Sequence, residues 1–245
     1  MADLKQAYRD LVIANRILAH QGVVDAYGHV SVRHPEKPDH FLLSRSRSPE
    51  LVTEADIMEF TLDGKIVGDD KRPPYLERFI HGSLYETRPD VGSVVHSHAE
   101  ETLPFGITGV PIKPVIHVAA GMGAEVPVWD IADKFGDNTN LLVVNPEQGR
   151  DLAQRMGKGR VTLMRGHGFA AVGATVHDVV RTSVYLPVNA RIITTALRLA
   201  PTYRALSAGE VDVRWMSNPK APETWRAWEY WARRAGVADL LGDGP

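Results

Sequence analysis

Residues 94–98 read Val-Val-His-Ser-His. On a strand, side chains repeat every second residue, so His96 and His98 share a face. Two imidazoles placed this way can both reach one metal ion at about 2.0–2.1 Å. Taken alone, such a pair is more often two half-buried strand histidines than a ligand pair. A third histidine, His167, lies in Arg165-Gly166-His167-Gly168 directly after the apolar run Val161 to Met164. The flanking glycines let the backbone turn there without a side chain to crowd a ligand. Upstream, Glu77 and His81 are four residues apart and so face one side of a helix, a spacing that also suits plain helix packing. Three histidines and a carboxylate suit Zn, Mn, Fe or Co, and spacing does not choose among them. One divalent cation held in this way stabilises charge on an adjacent substrate oxygen, which is the basis of carbanion and enolate chemistry.

A second group could bind an anion. Arg45 and Arg47 alternate in Ser44-Arg45-Ser46-Arg47 at the end of an expected strand. Guanidinium groups pair with carboxylates bidentately, although two arginines on a loop are as often simply solvated. Tyr75-Leu76, just before Glu77, offers a flat apolar wall.

These residues need elements to position them. Ala7, Leu11, Ala14 and Leu18 form a helix stripe, with Gly22 where a terminating glycine belongs. His29 to Arg33 alternates as a strand, and Phe41 to Ser44 is its expected hairpin partner across a turn holding Pro35 and Pro38. A helix is expected over Glu77 to Tyr85, between Pro73-Pro74 and Arg88-Pro89. Buried strands are expected over Val91 to His98, Leu141 to Val144 and Val161 to Met164. Thr175-x-x-Asp178 opens a long helix to about Leu199, with a kink or break expected at Pro187. A last helix spans Trp225 to Arg234, where Trp225, Trp228 and Trp231 form a stripe that reads as core or subunit contact. This order implies layered α/β architecture.

The 245 residues are 44% hydrophobic and 24% charged, enough to bury a full core. A net charge of −2 leaves no electrostatic footprint for nucleic acid or an anionic membrane. No apolar run is long enough to span a bilayer, and the N-terminal stretch reads as an amphipathic helix rather than a signal peptide. There is no cysteine, which excludes disulfides, thiolate ligands and a Cys nucleophile and fits a cytoplasmic setting.

Glu77-x-x-x-His81, Arg88-Pro89-Asp90, Val94 to Ala99 and Gly166-His167-Gly168 together resemble the class II aldolase/adducin family, over about residues 4–200. The resemblance implies a single-domain α/β/α fold over residues 1–245, with a central, mainly antiparallel mixed sheet and a Trp-rich helical extension from about 201. It also implies a homotetramer with active sites at subunit interfaces. His96, His98 and His167 correspond to the family's metal ligands, Glu77 to its catalytic carboxylate, which also approaches the metal, and His81 to a residue that orients the site.

The sequence departs from the members that cleave sugar phosphates. Their Gly-Asn turn, Thr-Gly turn and Ser-Ser pair are here Gly28-His29, Ser44 to Arg47 and Tyr75-Leu76, which do not supply the small donors a phosphate needs. Their interface tyrosine is also missing, because Val118 follows His117. Tyr27 to Arg33, Ser44 to Arg47, Arg165 to Gly168 and Tyr185-x-x-x-Asn189-Ala190-Arg191 instead resemble a branch that decarboxylates 3,4-dihydroxyphthalate, hydroxy-methylpyridine-dicarboxylate or hydroxy-carboxy-muconic semialdehyde. The implied activity is metal-dependent decarboxylation of a hydroxylated aromatic or ring-opened dicarboxylate in aromatic catabolism. Its substrate contacts would come from Arg45, Arg47, His29, Tyr75, His117 and Tyr185, although His29 suits strand-end packing slightly better. Glu77 would deliver the proton that replaces CO₂, provided its pKa is raised. Competing readings are an aldolase on an unphosphorylated hydroxy-acid or aldehyde, an iron-dependent oxygenase, and a non-enzymatic interaction domain.

Overall fold

The computed structural model describes residues 4–215, 220–242 and 244. In chain order the elements are α1 (Leu4–His20), β1 (His29–Arg33), β2 (His40–Ser44), β3 (Ile57–Thr61), α2 (Arg78–Thr87), β4 (Ser93–Ser97), α3 (Leu103–Thr108), β5 (Val128–Trp129), α4 (Ala132–Phe135), α5 (Pro146–Met156), β6 (Val161–Met164), β7 (Gly168–Gly173), α6 (Val176–Leu199), α7 (Ala208–Arg214) and α8 (Pro222–Arg234). Residues 1–3 of the expected first helix, and 216–219, 243 and 245 of the expected extension, lie outside the described residues.

The strands form one seven-stranded sheet in the order β3-β2-β1-β4-β7-β6-β5. Every pairing is antiparallel except β5 with β6. The sheet is covered on both faces, so its central strands are buried throughout. Alternation sorts the side chains. Val30, Val32, Leu42, Val95, Phe169 and Ala171 pack with α1, α6 and α8. Phe41, Leu43, Val94, Ala170 and Val172 pack with α2 and α5. The result is three layers, α/β/α, as expected from the sequence.

The α1 stripe is buried as its period requires. The helix ends in a Schellman turn: Gly22 is left-handed, its N–H donates to Ala19 O at 3.0 Å, and the Val23 N–H donates to Leu18 O at 2.9 Å. Thr175 caps α6 by accepting the Asp178 N–H. Trp228 and Trp231 lie in the core shared with α1 and α6.

Two expectations fail. Pro187 does not break α6, which runs unbroken from Val176 to Leu199, because burial of both halves of the helix outweighs one missing backbone hydrogen bond. Leu141 to Val144 is not a strand. Leu141 has φ +66°, and all four amides of the segment bond to side chains instead of a neighbouring strand. The Leu141 N–H donates to Thr139 Oγ1 and the Leu142 N–H to Asn140 Oδ1. The Val143 N–H donates to Glu77 and the Val144 N–H to Gln148.

Candidate metal centre and substrate pocket

β4 and β7 lie side by side at the middle of the sheet, with His96 opposite Ala170 and opposite His29 of β1. His96 therefore points to the α2 face. His98 follows the end of β4, and His167 sits in the turn between β6 and β7. That turn is tight: a Cβ on Gly168 would lie 2.0 Å from Ser97 O, so only glycine lets the His167 turn close against the chain between His96 and His98.

Glu77 enters from the other layer. It is the residue before α2 rather than part of the helix, with φ −90° and ψ 20°, and its carboxylate does not cap the helix. This corrects the expected start of that helix. Upstream, an isolated bridge between Arg45 and Pro74 ties the segment to the end of β2. Glu77 Oε1 accepts the Val143 N–H at 3.0 Å. Oε2 then lies 3.4 Å from both His96 Nε2 and His167 Nε2.

One ligand atom from each of Glu77, His96, His98 and His167 lies within 4.8 Å of all the others. His98 Nε2 is 2.9 Å from His96 Nε2 and 3.1 Å from His167 Nε2. Donors at about 2.1 Å around one cation are about 3.0–3.4 Å apart in octahedral or tetrahedral geometry, so these edges match a shared ion. Protonation points the same way. His96 Nδ1 must carry its hydrogen, because it faces Phe169 O at 3.0 Å, which leaves the Nε2 lone pair aimed into the cluster. Burial lowers the His98 pKa to about 4, helped by His96 and His167. Its lone pair is therefore free at neutral pH. Among the described residues, His167 Nδ1 is buried without a hydrogen-bond partner.

Burial pushes the Glu77 carboxyl upward, while protonated His96 and His167 beside Oε2 outweigh it and hold the group below the usual carboxylate range. A bound cation would take over that part once both rings turn lone pairs toward it. The condition set for Glu77 as proton donor, a raised pKa, is thus not met by the chain's own groups, and Glu77 stands as an anion.

The cluster opens into a cavity of about 410 Å³ whose lining includes His29, Arg47, Tyr75, Leu76, Glu77 and His98. Tyr75 stacks on His29 with ring centroids 4.5 Å apart and anchors its hydroxyl on Arg47 O and Ser44 Oγ. Tyr27 and Leu76 stand at the mouth, 67% and 64% exposed. Arg45 and Arg47 are not free. Both donate to the buried Asp56, Arg45 Nε at 2.7 Å and Arg47 Nη1 at 2.8 Å, and Thr53 donates to the same carboxylate. Arg47 lines the cavity and Arg45 does not. His81 does not touch the three clustered histidines through a hydrogen bond. Its Nε2 meets His29 Nδ1 at 2.6 Å and its Nδ1 meets Ser31 Oγ at 2.6 Å.

His117 and Tyr185 lie elsewhere, lining a separate cavity with Arg181, Arg214, Trp215 and Trp231. Asn189 fastens the approach to His117 by accepting the Val115 N–H and donating to Lys113 O, both at 2.8 Å.

Sequence reasoning missed Ser31, Tyr85, Asp56 and Tyr27. The first two were findable: His29 and Ser31 share a strand face, and Glu77, His81 and Tyr85 recur every four residues. Asp56 carried only the capping-box pattern Thr53-x-x-Asp56, which gave no hint of its two arginine partners.

The model of the Class II Aldolase and Adducin N-terminal domain matches residues 9–194. The decarboxylase tropJ of Talaromyces stipitatus is 35% identical, over 95% of each chain. A 3,4-dihydroxyphthalate decarboxylase of Arthrobacter keyseri is 31% identical over 69% of this chain and 70% of its own. Among solved structures, an aldolase II superfamily protein from Pseudomonas syringae superposes with a TM-score of 0.79 at 18% identity, over 98% of this chain and 96% of that one.

Proposed function

The chain belongs to the class II aldolase and adducin family, and we propose that within it this protein is a metal-dependent carboxy-lyase acting on a hydroxylated aromatic or ring-cleaved dicarboxylate. The observation that carries this reading is the opening of the Glu77/His96/His98/His167 cluster into a cavity walled by Arg47, His29 and the Tyr75 ring. The decarboxylase names of two relatives favour carboxy-lyase over aldehyde-lyase chemistry.

A divalent cation held by Glu77, His96, His98 and His167 would act as a Lewis acid toward a substrate oxygen. Arg47 receives a substrate carboxylate with the donors it does not spend on Asp56, and Tyr75 flanks the ring. The ionised Glu77 Oε2 takes the proton of a substrate hydroxyl. The C–COO⁻ bond then breaks, CO₂ leaves, and its electron pair remains on carbon, conjugated with that oxygen. Glu77 Oε2 returns the proton to the carbon. The low Glu77 pKa favours this second transfer and opposes the first, which therefore calls for a substrate hydroxyl acidified by the cation that the cluster would hold.

The separate His117/Tyr185 cavity supports a homotetrameric reading in which these residues face a neighbouring subunit's site. The two apolar cores on one sheet support reading residues 1–245 as a single domain. A cytoplasmic setting is part of the same proposal, and no helix among the described residues is long and apolar enough to cross a membrane.

The test is elemental analysis of the purified protein together with CO₂ trapping from a panel that includes 3,4-dihydroxyphthalate. Bound metal with CO₂ release supports the proposal. Bound metal with an aldehyde fragment from hydroxy-acids, and no CO₂ from any dicarboxylate, would replace it with an aldolase.

A further inference from the structure

Four buried polar groups connect the cavity wall to the core without a gap. His29 Nδ1 meets His81 Nε2 at 2.6 Å, His81 Nδ1 meets Ser31 Oγ at 2.6 Å, and Ser31 Oγ meets Tyr85 Oη at 2.7 Å. All four residues are essentially out of solvent. The direction of every bond follows from its far end. Among the described residues, Ser31 Oγ is the side-chain partner of the Tyr85 hydroxyl. A buried O–H that only accepted would leave its hydrogen unpaired, which costs about 1–3 kcal/mol. Tyr85 therefore donates to Ser31.

The rest follows by valence. Ser31 has one hydrogen, and with Tyr85 donating to it, that hydrogen goes to His81 Nδ1. At 2.6 Å only one hydrogen fits between His29 Nδ1 and His81 Nε2, and only one between His81 Nδ1 and Ser31 Oγ. With Nδ1 accepting, the His81 hydrogen is on Nε2 and is donated to His29 Nδ1. The His29 hydrogen is then on its own Nε2. That atom makes no hydrogen bond within the described chain, and His29 lines the cavity.

We propose that Tyr85, Ser31 and His81 act as positioning residues that fix the tautomer of His29, so that His29 Nε2–H is a permanent donor to an anionic oxygen of the substrate. No group in the chain changes charge. The Nε2–H and Arg47 then give one cavity two donors of different kinds, a neutral one beside the His96 ring and a cationic one from the Arg47 segment, which suits a dicarboxylate carrying a ring hydroxyl. The substrate part of this inference rests on the carboxy-lyase reading above, whereas the tautomer part does not.

Nitrogen-15 NMR of histidine-labelled protein without substrate reads the tautomers directly. The Nε2–H form is expected for both His29 and His81, retained in Ser31→Thr and mixed in Ser31→Ala. His29 in the Nδ1–H form in the wild type would overturn the proposal. Titration with 3,4-dihydroxyphthalate then tests the donor. His29→Gln, which keeps an N–H, should bind within a few-fold of wild type, whereas His29→Phe should lose roughly tenfold or more. Equal binding by the two variants rejects the donor role. If wild type binds none of the probe, the substrate class fails, and the nitrogen shifts alone decide the tautomer assignment.

Discussion

The Val143 backbone N–H donates to Glu77 Oε1 at 3.0 Å, which turns the other carboxylate oxygen toward His96 and His167. Glu77→Gln can still accept that bond through its amide oxygen, but its NH₂ group then faces the cluster in place of an anion. The expected outcome is turnover reduced by roughly 10²–10⁴, with the metal retained by three histidines at lower affinity. Metal content measured beside kcat checks this, and undiminished turnover would remove Glu77 from the mechanism.

His96→Ala and His98→Ala should each lose metal and activity together, as removing a ligand from a four-donor set does. Gly168→Ala should do so without touching a ligand, because the new methyl group overlaps Ser97 O and forces β4 and the His167 turn apart. It should also cost about 1–3 kcal/mol of stability. Elemental analysis and thermal melts separate the two effects, and full metal occupancy in Gly168→Ala would contradict the packing argument.

Arg45 and Arg47 share Asp56, yet only Arg47 lines the cavity. Arg47→Ala should raise KM about tenfold, the loss of one charge-assisted contact, while Arg45→Ala acts chiefly on stability. Asp56→Asn leaves two guanidiniums without their counter-ion and should cost about 3 kcal/mol. Steady-state kinetics with denaturant unfolding of the three variants tests the division, and an Arg45→Ala KM effect as large as that of Arg47→Ala would refute it.

Burial raises the Asp10 pKa from 3.8 to about 6, against a smaller opposing contribution from its hydrogen bond with Gln6. Between those values the folded chain binds more protons than the unfolded one, so stability falls as pH rises through this window and then levels off. Asp10→Asn should therefore raise Tm by a few degrees at pH 8 and hardly at all at pH 4, after allowance for solvent screening of a half-buried group. A Tm gain independent of pH would argue against this.

The sequence disclosed what has a period. The α1 stripe was legible because burial and repeat coincide, and the His29–Arg33 alternation and the His96/His98 pairing because residue types alternate even where both sheet faces are covered. What it concealed was set by partners far along the chain. β7 reads Gly-Phe-Ala-Ala-Val-Gly, a composition poor in strand formers, and it is a strand because β4 and β6 flank it. Leu141 to Val144 has strand composition, but its amides go to side chains, Glu77 and Gln148 among them, rather than to a neighbouring strand. The candidate site divides in the same way. Its histidines announce themselves by type and spacing, whereas the hold of Asp56 on two arginines becomes visible only when residues 45–56 fold back on themselves.

The cavity draws its cation-facing side and its outer walls from different parts of the chain. The histidines are anchored in the middle of a sheet covered on both faces, while Tyr27, Arg47, Tyr75 and Leu76 come from connecting segments at one end of the strands. Exchanges in those segments can reshape which molecules fit without loosening the reactive centre. New specificities are therefore accessible to this scaffold through a handful of loop substitutions, and laboratory evolution aimed at residues 26–27, 46–48 and 75–76 is the economical place to begin.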